Sequence, residues 1–409
     1  MKNILLACVL SLVALANVSA EDAPALTMGG QMRFRYEAYN FSLHNAAMPA
    51  RDIDQLHLRT RLNATLRLPQ DISVFIQLQD TRTSGDEASV VTNEKRVDTH
   101  QAYMEVAKLG GAPVNLRLGR MELSYGDQRL VGAMDWNNVG RAFDGVLLKV
   151  GGSQWKSDVF HTIVTENSGA SRDVTFSGVY NRCLAVKSHE FDLYALAYDA
   201  GGIAATNEYT AGLRAKGVTG AIDYSMEGMH QFGRRGGVNL QAAGFAALAG
   251  ITASLPSKPR LGVEYAQATG DGDTADLKVR TFNPLYPTTH GYQGYADVVG
   301  FYNLRNVKFS ASASPAKDWT LQADYHTFIL DSARDGWYSK TGALIVRDTT
   351  GASGREVGNE LDVHVKTKLR DAMKFWFGYS RFFAGELARS TTLGKEDKDW
   401  YFLQAVLDF

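Results

Sequence analysis

Trp400-Tyr401-Phe402-Leu403-Gln404-Ala405-Val406-Leu407-Asp408-Phe409 decides the fold. Every second residue from Tyr401 is apolar or aromatic: Tyr401, Leu403, Ala405, Leu407 and Phe409. Between them stand Phe402, Gln404, Val406 and Asp408. This is a strand with one apolar face and an aromatic at its end. Two readings fit it. It is a buried edge strand of a soluble sandwich, or it closes a membrane barrel by pairing with the first strand of the chain. In water an unpaired apolar edge invites aggregation. In a closed barrel no edge is left, because every backbone group finds a partner in the next strand.

The first strand has the matching pattern. Leu26, Met28, Met32, Phe34 and Tyr36 alternate with Thr27, Gln31, Arg33, Arg35 and Glu37. From Gln55 to Leu68, six apolar residues alternate with Gln55, His57, Arg59, Arg61, Asn63, Thr65 and Arg67. An alternation this long exceeds the usual globular strand of about five or six residues and fits a strand that crosses a bilayer. Further strands are predicted near 72–81, 97–107, 113–120, 142–150, 155–165, 174–187, 190–199, 208–216, 219–232, 238–251, 259–269, 304–314, 318–331, 357–369 and 372–383, eighteen in all. The alternation is poor at 142–165 and 190–199, where both faces carry apolar residues.

Connection lengths choose between the two readings. Pro69-Gln70-Asp71, Gly151-Gly152-Ser153, Lys187-Ser188-His189, Lys216-Gly217-Val218, Ser314-Pro315-Ala316 and Arg370-Asp371 are tight turns. They fall at every second junction. The other junctions, at 40–52, 82–96, 121–141, 270–303, 332–356 and 384–398, are mostly longer. Short turns at one end and long loops at the other describe an all-β, transmembrane antiparallel up-and-down barrel, with periplasmic turns and extracellular loops. An even strand number puts both termini at the periplasmic end.

The opening residues agree. Lys2, the apolar run Ile4 to Ala16 and the small residues Val18-Ser19-Ala20 read as a secretory signal over residues 1–20, ahead of one barrel domain over 21–409. Cys8 sits too early in the apolar run for a lipoprotein site. Cleavage leaves Cys183 alone, so no intrachain disulfide is expected. With 43 Lys+Arg against 44 Asp+Glu, the chain is near neutral, which argues against a nucleic-acid partner. The location expected is the outer membrane of a Gram-negative cell. The partners expected are outer-membrane lipid, the barrel-insertion machinery through Phe409, and an anionic sugar or small anionic solute.

No catalytic set stands out, and neither an enzymatic activity nor a cofactor or metal is expected. His57, His326 and His364 fall on inward faces without an assignable serine partner. Asp271-Gly272-Asp273-Thr274-Ala275-Asp276 resembles the start of a calcium loop, but the distal bidentate Glu is missing, and the stretch reads as a solvated hairpin tip. The stronger signal is basic. Arg33, Arg35, Arg59, Arg61, Arg67, Arg117, Arg214, Lys216, Lys366, Lys368 and Lys374 all stand on the polar side of their strands. Two roles are open to them. They bind the interspersed carboxylates in a cross-strand lattice, or they line a conduit for anions. Arg33, Arg35, Arg59 and Arg61 form the densest group, and the arginine fork suits carboxylates.

Leu118-Gly119-Arg120-Met121-Glu122-Leu123-Ser124-Tyr125-Gly126-Asp127-Gln128-Arg129-Leu130, with Asp135-Trp136-Asn137-Asn138 and Gly140-Arg141-Ala142-Phe143-Asp144-Gly145, resembles the alginate-export family of outer-membrane porins. So do Thr281 to His290, Gly294-Tyr295-Ala296-Asp297 and Val357 to Asp362. The resemblance implies an eighteen-stranded monomeric barrel with an arginine-lined, electropositive pore. In the namesake exporter a polyuronate diffuses outward along that pore, which an extracellular loop and a long periplasmic turn occlude at rest. This chain departs at Leu369 to Ala372, where the turn is too short for a periplasmic plug. Arg120, Arg129 and Arg141, with Asp135, Asn137 and Asn138, are placed in an extracellular loop near the pore. There they either pin that loop by hydrogen bonds or form a constriction that contacts solute.

Overall fold

The computed structural model describes residues 23–39, 53–85, 97–166, 173–201, 205–273, 275–390 and 397–409. The signal segment 1–20 and the loop 40–52 lie outside them. Eighteen antiparallel strands close into a barrel. The first, Ala25–Tyr39, pairs with the second, Ile53–Leu68, on one side and with the last, Lys398–Asp408, on the other. The closing seam runs in register from Gln31 opposite Asp408 to Tyr39 opposite Trp400. Phe409 extends it, donating its N–H to the Gly30 carbonyl at 3.0 Å and accepting from the Gly30 N–H at 2.7 Å. Glycine suits position 30, because a Cβ would come within 2.6 Å of the Arg61 carbonyl oxygen and of the Phe409 ring. The terminal stretch is therefore a closing strand.

The pleat sorts the side chains as the alternation predicts. Leu26, Met28, Phe34, Leu62, Leu193, Leu213 and Leu261 point outward and are exposed, an apolar surface suited to lipid. Arg33, Arg35, Arg59 and Arg61 point inward and are buried. At one end the connections at 69–71, 152–154, 220–221 and 371–372 are tight turns. At the other end stand the loops 122–142, 269–303 and 331–355, together with one tight turn at Gly236-Gly237, both of whose φ values are positive.

The three long loops fold into the lumen and build an apolar core there. Leu123, Leu130 and Val131 of the first loop and Phe282, Val298, Val299 and Phe301 of the second are almost fully buried, as is Trp337 of the third. Burying a side chain of this size is worth about 1.5–3 kcal/mol relative to exposure. The wall contributes inward apolar residues where it meets this core: Phe143, Leu147, Phe160, Phe176, Tyr194 and Leu196. This explains the poor alternation at 142–165 and 190–199. Those strands face lipid on one side and an apolar loop body on the other, so neither face needs to be polar.

Candidate functional site

The loop body is organised by a short pairing between two loops. Tyr286 N–H donates to the Leu130 carbonyl, Gly132 N–H to the Tyr286 carbonyl and Thr288 N–H to the Gln128 carbonyl, each at 2.9 Å. Arg141 pins this pairing by donating to the carbonyls of Gly132 at 3.0 Å, Pro287 at 3.1 Å and Tyr286. Burial in this apolar body lowers the Arg141 guanidinium to about 10.

Polar spokes tie the body to the wall on every side. Asp127 takes Lys216 at 2.9 Å, Arg214 at 3.2 Å and the Ser225 hydroxyl at 2.6 Å. Arg129 pairs with Glu264 at 3.0 Å and stacks over the Tyr292 ring at 4.3 Å. Asn283 N–H donates to Gln231 Oε1 at 2.9 Å. Ala296 N–H donates to Glu360 Oε1 at 2.9 Å. Gly294 sits so close to Glu360 that a Cβ would fall 2.3 Å from Oε1, and its φ of +82° also favours glycine.

The tip of the first loop rests on the arginine cluster. Arg33 stands opposite Arg59 in the pairing of the first two strands, a like-charge pair that is unfavourable without compensation. The tip compensates it. Arg33 donates to the carbonyls of Asp135 at 2.7 Å and Asn137 at 3.0 Å and to Asn138 Oδ1 at 3.2 Å. Arg59 donates to the Asp135 carboxylate at 2.8 Å and its carbonyl at 2.9 Å. Arg61 reaches the same carboxylate at 3.0 Å. The Asp135 side chain is largely exposed; its partial desolvation works against the charge, but Arg59, Arg61 and Arg33 outweigh it and hold the carboxyl below its ordinary range. Arg35 donates to the Trp136 carbonyl and stacks over the Trp136 ring at 4.0 Å.

Trp136 is the apolar anchor of the tip. It stacks on His290 at 3.9 Å with 5° between the planes, and its edges meet Trp376 at 5.1 Å and Phe402 at 5.0 Å. His290 lies 3.2 Å from Asp297, which Lys340 also reaches at 2.7 Å. Burial pushes the His290 imidazole down, against the pull of Asp297. Burial opposes the Asp297 charge, yet Lys340 and His290 prevail and hold it well below the ordinary carboxylate range.

The remaining predicted residues are dispersed. Arg117 pairs with Glu105 at 2.6 Å inside the barrel and lies over Tyr103. Arg120 differs from its expected place. The strand Val114–Met121 continues past Arg117, and the pleat turns Arg120 to the opposite face, where it pairs with Asp144 at 2.6 Å. Arg67 touches Thr27 near the short turns. Lys366 lies over Trp376 at 4.0 Å, and Lys366 and Lys368 border a cavity at the short-turn mouth.

His57 meets Thr83, and His326 meets Asn306. The ring of His364 packs edge-on to Tyr295. Asp271 and Asp276 both turn to Arg280, and among the described residues no group of three His, Cys, Asp or Glu side chains is placed to hold a metal ion.

A family model described as alginate export matches residues 25–402. Among solved structures, Pseudomonas aeruginosa OccD3 (OpdP) aligns with a TM-score of 0.66 at 8% identity, over 98% of this chain and 97% of that one. Pseudomonas aeruginosa OccK8 (OprE) gives 0.63 at 12% over 94% and 98%. Acinetobacter baumannii OccAB1 gives 0.63 at 10% over 94% and 97%. At these identities the likeness is one of fold. No curated protein matches the chain by sequence.

Proposed function

Because the chain belongs to the alginate-export family and is an outer-membrane channel, we propose that it passively conducts an anionic solute, an acidic polysaccharide or oligosaccharide of the alginate type, along its inward arginines. One observation carries this reading. Among the described residues, the hydrogen bonds of the Arg33 guanidinium all go to oxygens of the loop tip, two backbone carbonyls and one side-chain amide. Hydroxyl and carboxylate oxygens of an acidic sugar can take the same positions once the tip moves, and rings of arginine favour anions at close range.

The test is a planar bilayer under a KCl gradient. Anion preference and a current reduced by mannuronate oligomers are expected, with Arg59→Ala plus Arg61→Ala relieving the block. Cation selectivity overturns the reading. A second reading, uptake of small organic acids, is favoured by the two-residue turn at 371–372, which leaves that part of the periplasmic mouth without a plug. A large ohmic conductance indifferent to oligouronates supports it, whereas tight oligouronate block rejects it. We also propose that Phe409 serves assembly at the seam. Its deletion is expected to lower the yield of inserted, heat-modifiable barrel, and unchanged insertion would count against that role.

A further inference from the structure

Most inward cations of this barrel meet a carboxylate: Arg117 meets Glu105, Arg129 and Lys308 meet Glu264, Arg235 meets Glu208, and Arg260 meets Asp223. One corner is different. A cavity of about 650 Å³ opens at the short-turn mouth, bordered among others by Lys258, Lys317, Lys366, Lys368, Trp376 and Gln404. Among the described residues none of those four lysines has a carboxylate within ion-pair distance. Lys374, also on its border, has one in Asp408 at 2.6 Å. Asp318 is the one acid on the border.

Lys366 is held over the Trp376 ring rather than by an acid. Gln404 is nine-tenths buried, and its Oε1 finds no hydrogen-bond partner among the described residues. Strand register places these groups in two rows. Lys366 stands opposite Trp376, Trp376 opposite Gln404, and Gln404 opposite Arg35. Beside that row, Lys368 stands opposite Lys374, Lys374 opposite Val406, and Val406 opposite Arg33. The cavity thus lies in the same rows as the arginine cluster, one strand away from it.

We infer that this cavity is a loading site for a carboxylate-bearing saccharide at the periplasmic mouth, a proposal that rests on the reading of the channel as one for acidic sugars. The uncompensated lysines supply the attraction for carboxylate. They act at a mouth with low-dielectric walls, where unpaired charge concentrates the opposite ion. The inward ring of Trp376 offers apolar surface of the kind a sugar's C–H face covers. From a carboxylate bound at Lys366 and Lys368, one row leads past Trp376 and Gln404 to Arg35, and the other past Lys374 and Val406 to Arg33.

The experiment is side-specific block in a planar bilayer, with mannuronate trisaccharide added to the short-turn side or to the loop side. In the wild type, block from the short-turn side is expected at lower concentration than block by neutral maltotriose. Lys366→Gln with Lys368→Gln is expected to lower the ratio of short-turn-side to loop-side affinity about tenfold, or ~1.4 kcal/mol. Lys366→Arg with Lys368→Arg should keep that ratio, and heat-modifiable migration on a gel checks that each variant has folded.

Trisaccharide block that persists in the glutamine variant with its ratio unchanged overturns the loading site and leaves the acidic-sugar channel standing. Absence of block from either side in the wild type overturns both. Equal block by maltotriose overturns the carboxylate requirement. Succinate competing as well as the trisaccharide would overturn the saccharide part, since a small dicarboxylate needs the lysines but not the aromatic surface.

Discussion

Replacing Asp135 and Trp136 together by alanine should raise single-channel conductance several-fold, because the two side chains hold the first loop's tip against the wall. Trp136 contributes stacking on His290, edge contacts with Trp376 and Phe402, and the cation–π contact with Arg35. Truncating a buried tryptophan costs about 3–5 kcal/mol, and the half-buried Trp136 belongs at the lower end. Asp135 contributes, among the described residues, the one carboxylate that reaches both Arg59 and Arg61. Without it the opposed guanidiniums of Arg33 and Arg59 lose their compensation and repel. The two losses act on the same segment, so they favour the undocked tip together. Asp135→Asn alone should act less, since Trp136 keeps its stack on His290 and the amide oxygen still accepts from Arg59 and Arg61. Anion preference should grow in the double variant as the arginines become accessible. Conductance equal to wild type, in a variant that still shows heat-modifiable migration, would sink the idea that the tip obstructs the lumen.

The barrel was legible because its determinants are local. Alternation at Leu26 to Tyr39 and Gln55 to Leu68, and tight turns at every second junction, need only neighbouring residues to be recognised. The inward direction of Arg33, Arg35, Arg59 and Arg61 follows from the same period. What holds those arginines does not. The carboxylate bound by Arg59 is 76 residues away in sequence, and the partner of Arg129 lies on a distant strand. No periodicity encodes such pairings.

Trp136 was visible in the family motif, but nothing local marks it as the anchor of an aromatic cluster built from four separate segments. The blurred alternation at 142–165 and 190–199 did carry a signal for the loop core. An inward face with apolar residues needs an apolar object inside the barrel. Arg120 shows the limit of boundary reading. It ends the expected strand 113–120 yet falls within the loop motif; the strand runs on through Met121, and the pleat turns Arg120 to its outer face.

Glu264→Ala should loosen the loop body more than any other single substitution in the wall. Glu264 and Arg129 are both almost fully buried, 1% and 6% exposed at the side chain, and lie 3.0 Å apart. Lys308 approaches the same carboxylate at 3.5 Å. Removing the acid therefore strands two cations in a low-dielectric site. Breaking a buried pair by removing one partner costs about 3–5 kcal/mol, mostly the desolvation of the charge left behind.

The cheapest escape for Arg129 is to leave with its loop, which gives up the pairing with residues 286–288 and the stacking on Tyr292. The expected readouts are a higher and noisier conductance and faster protease cleavage within 122–142. A double-mutant cycle separates this mechanism from a role of Arg129 in contacting solute. If Arg129 only pins the loop, Glu264→Leu with Arg129→Met should restore the quiet, low conductance, because neither charge remains to be desolvated. If Arg129 contacts the anion, the double variant should lose oligouronate block even with the loop docked. Quiet wild-type conductance in Glu264→Ala itself would show that the Arg129 contact does not hold the loop body in place.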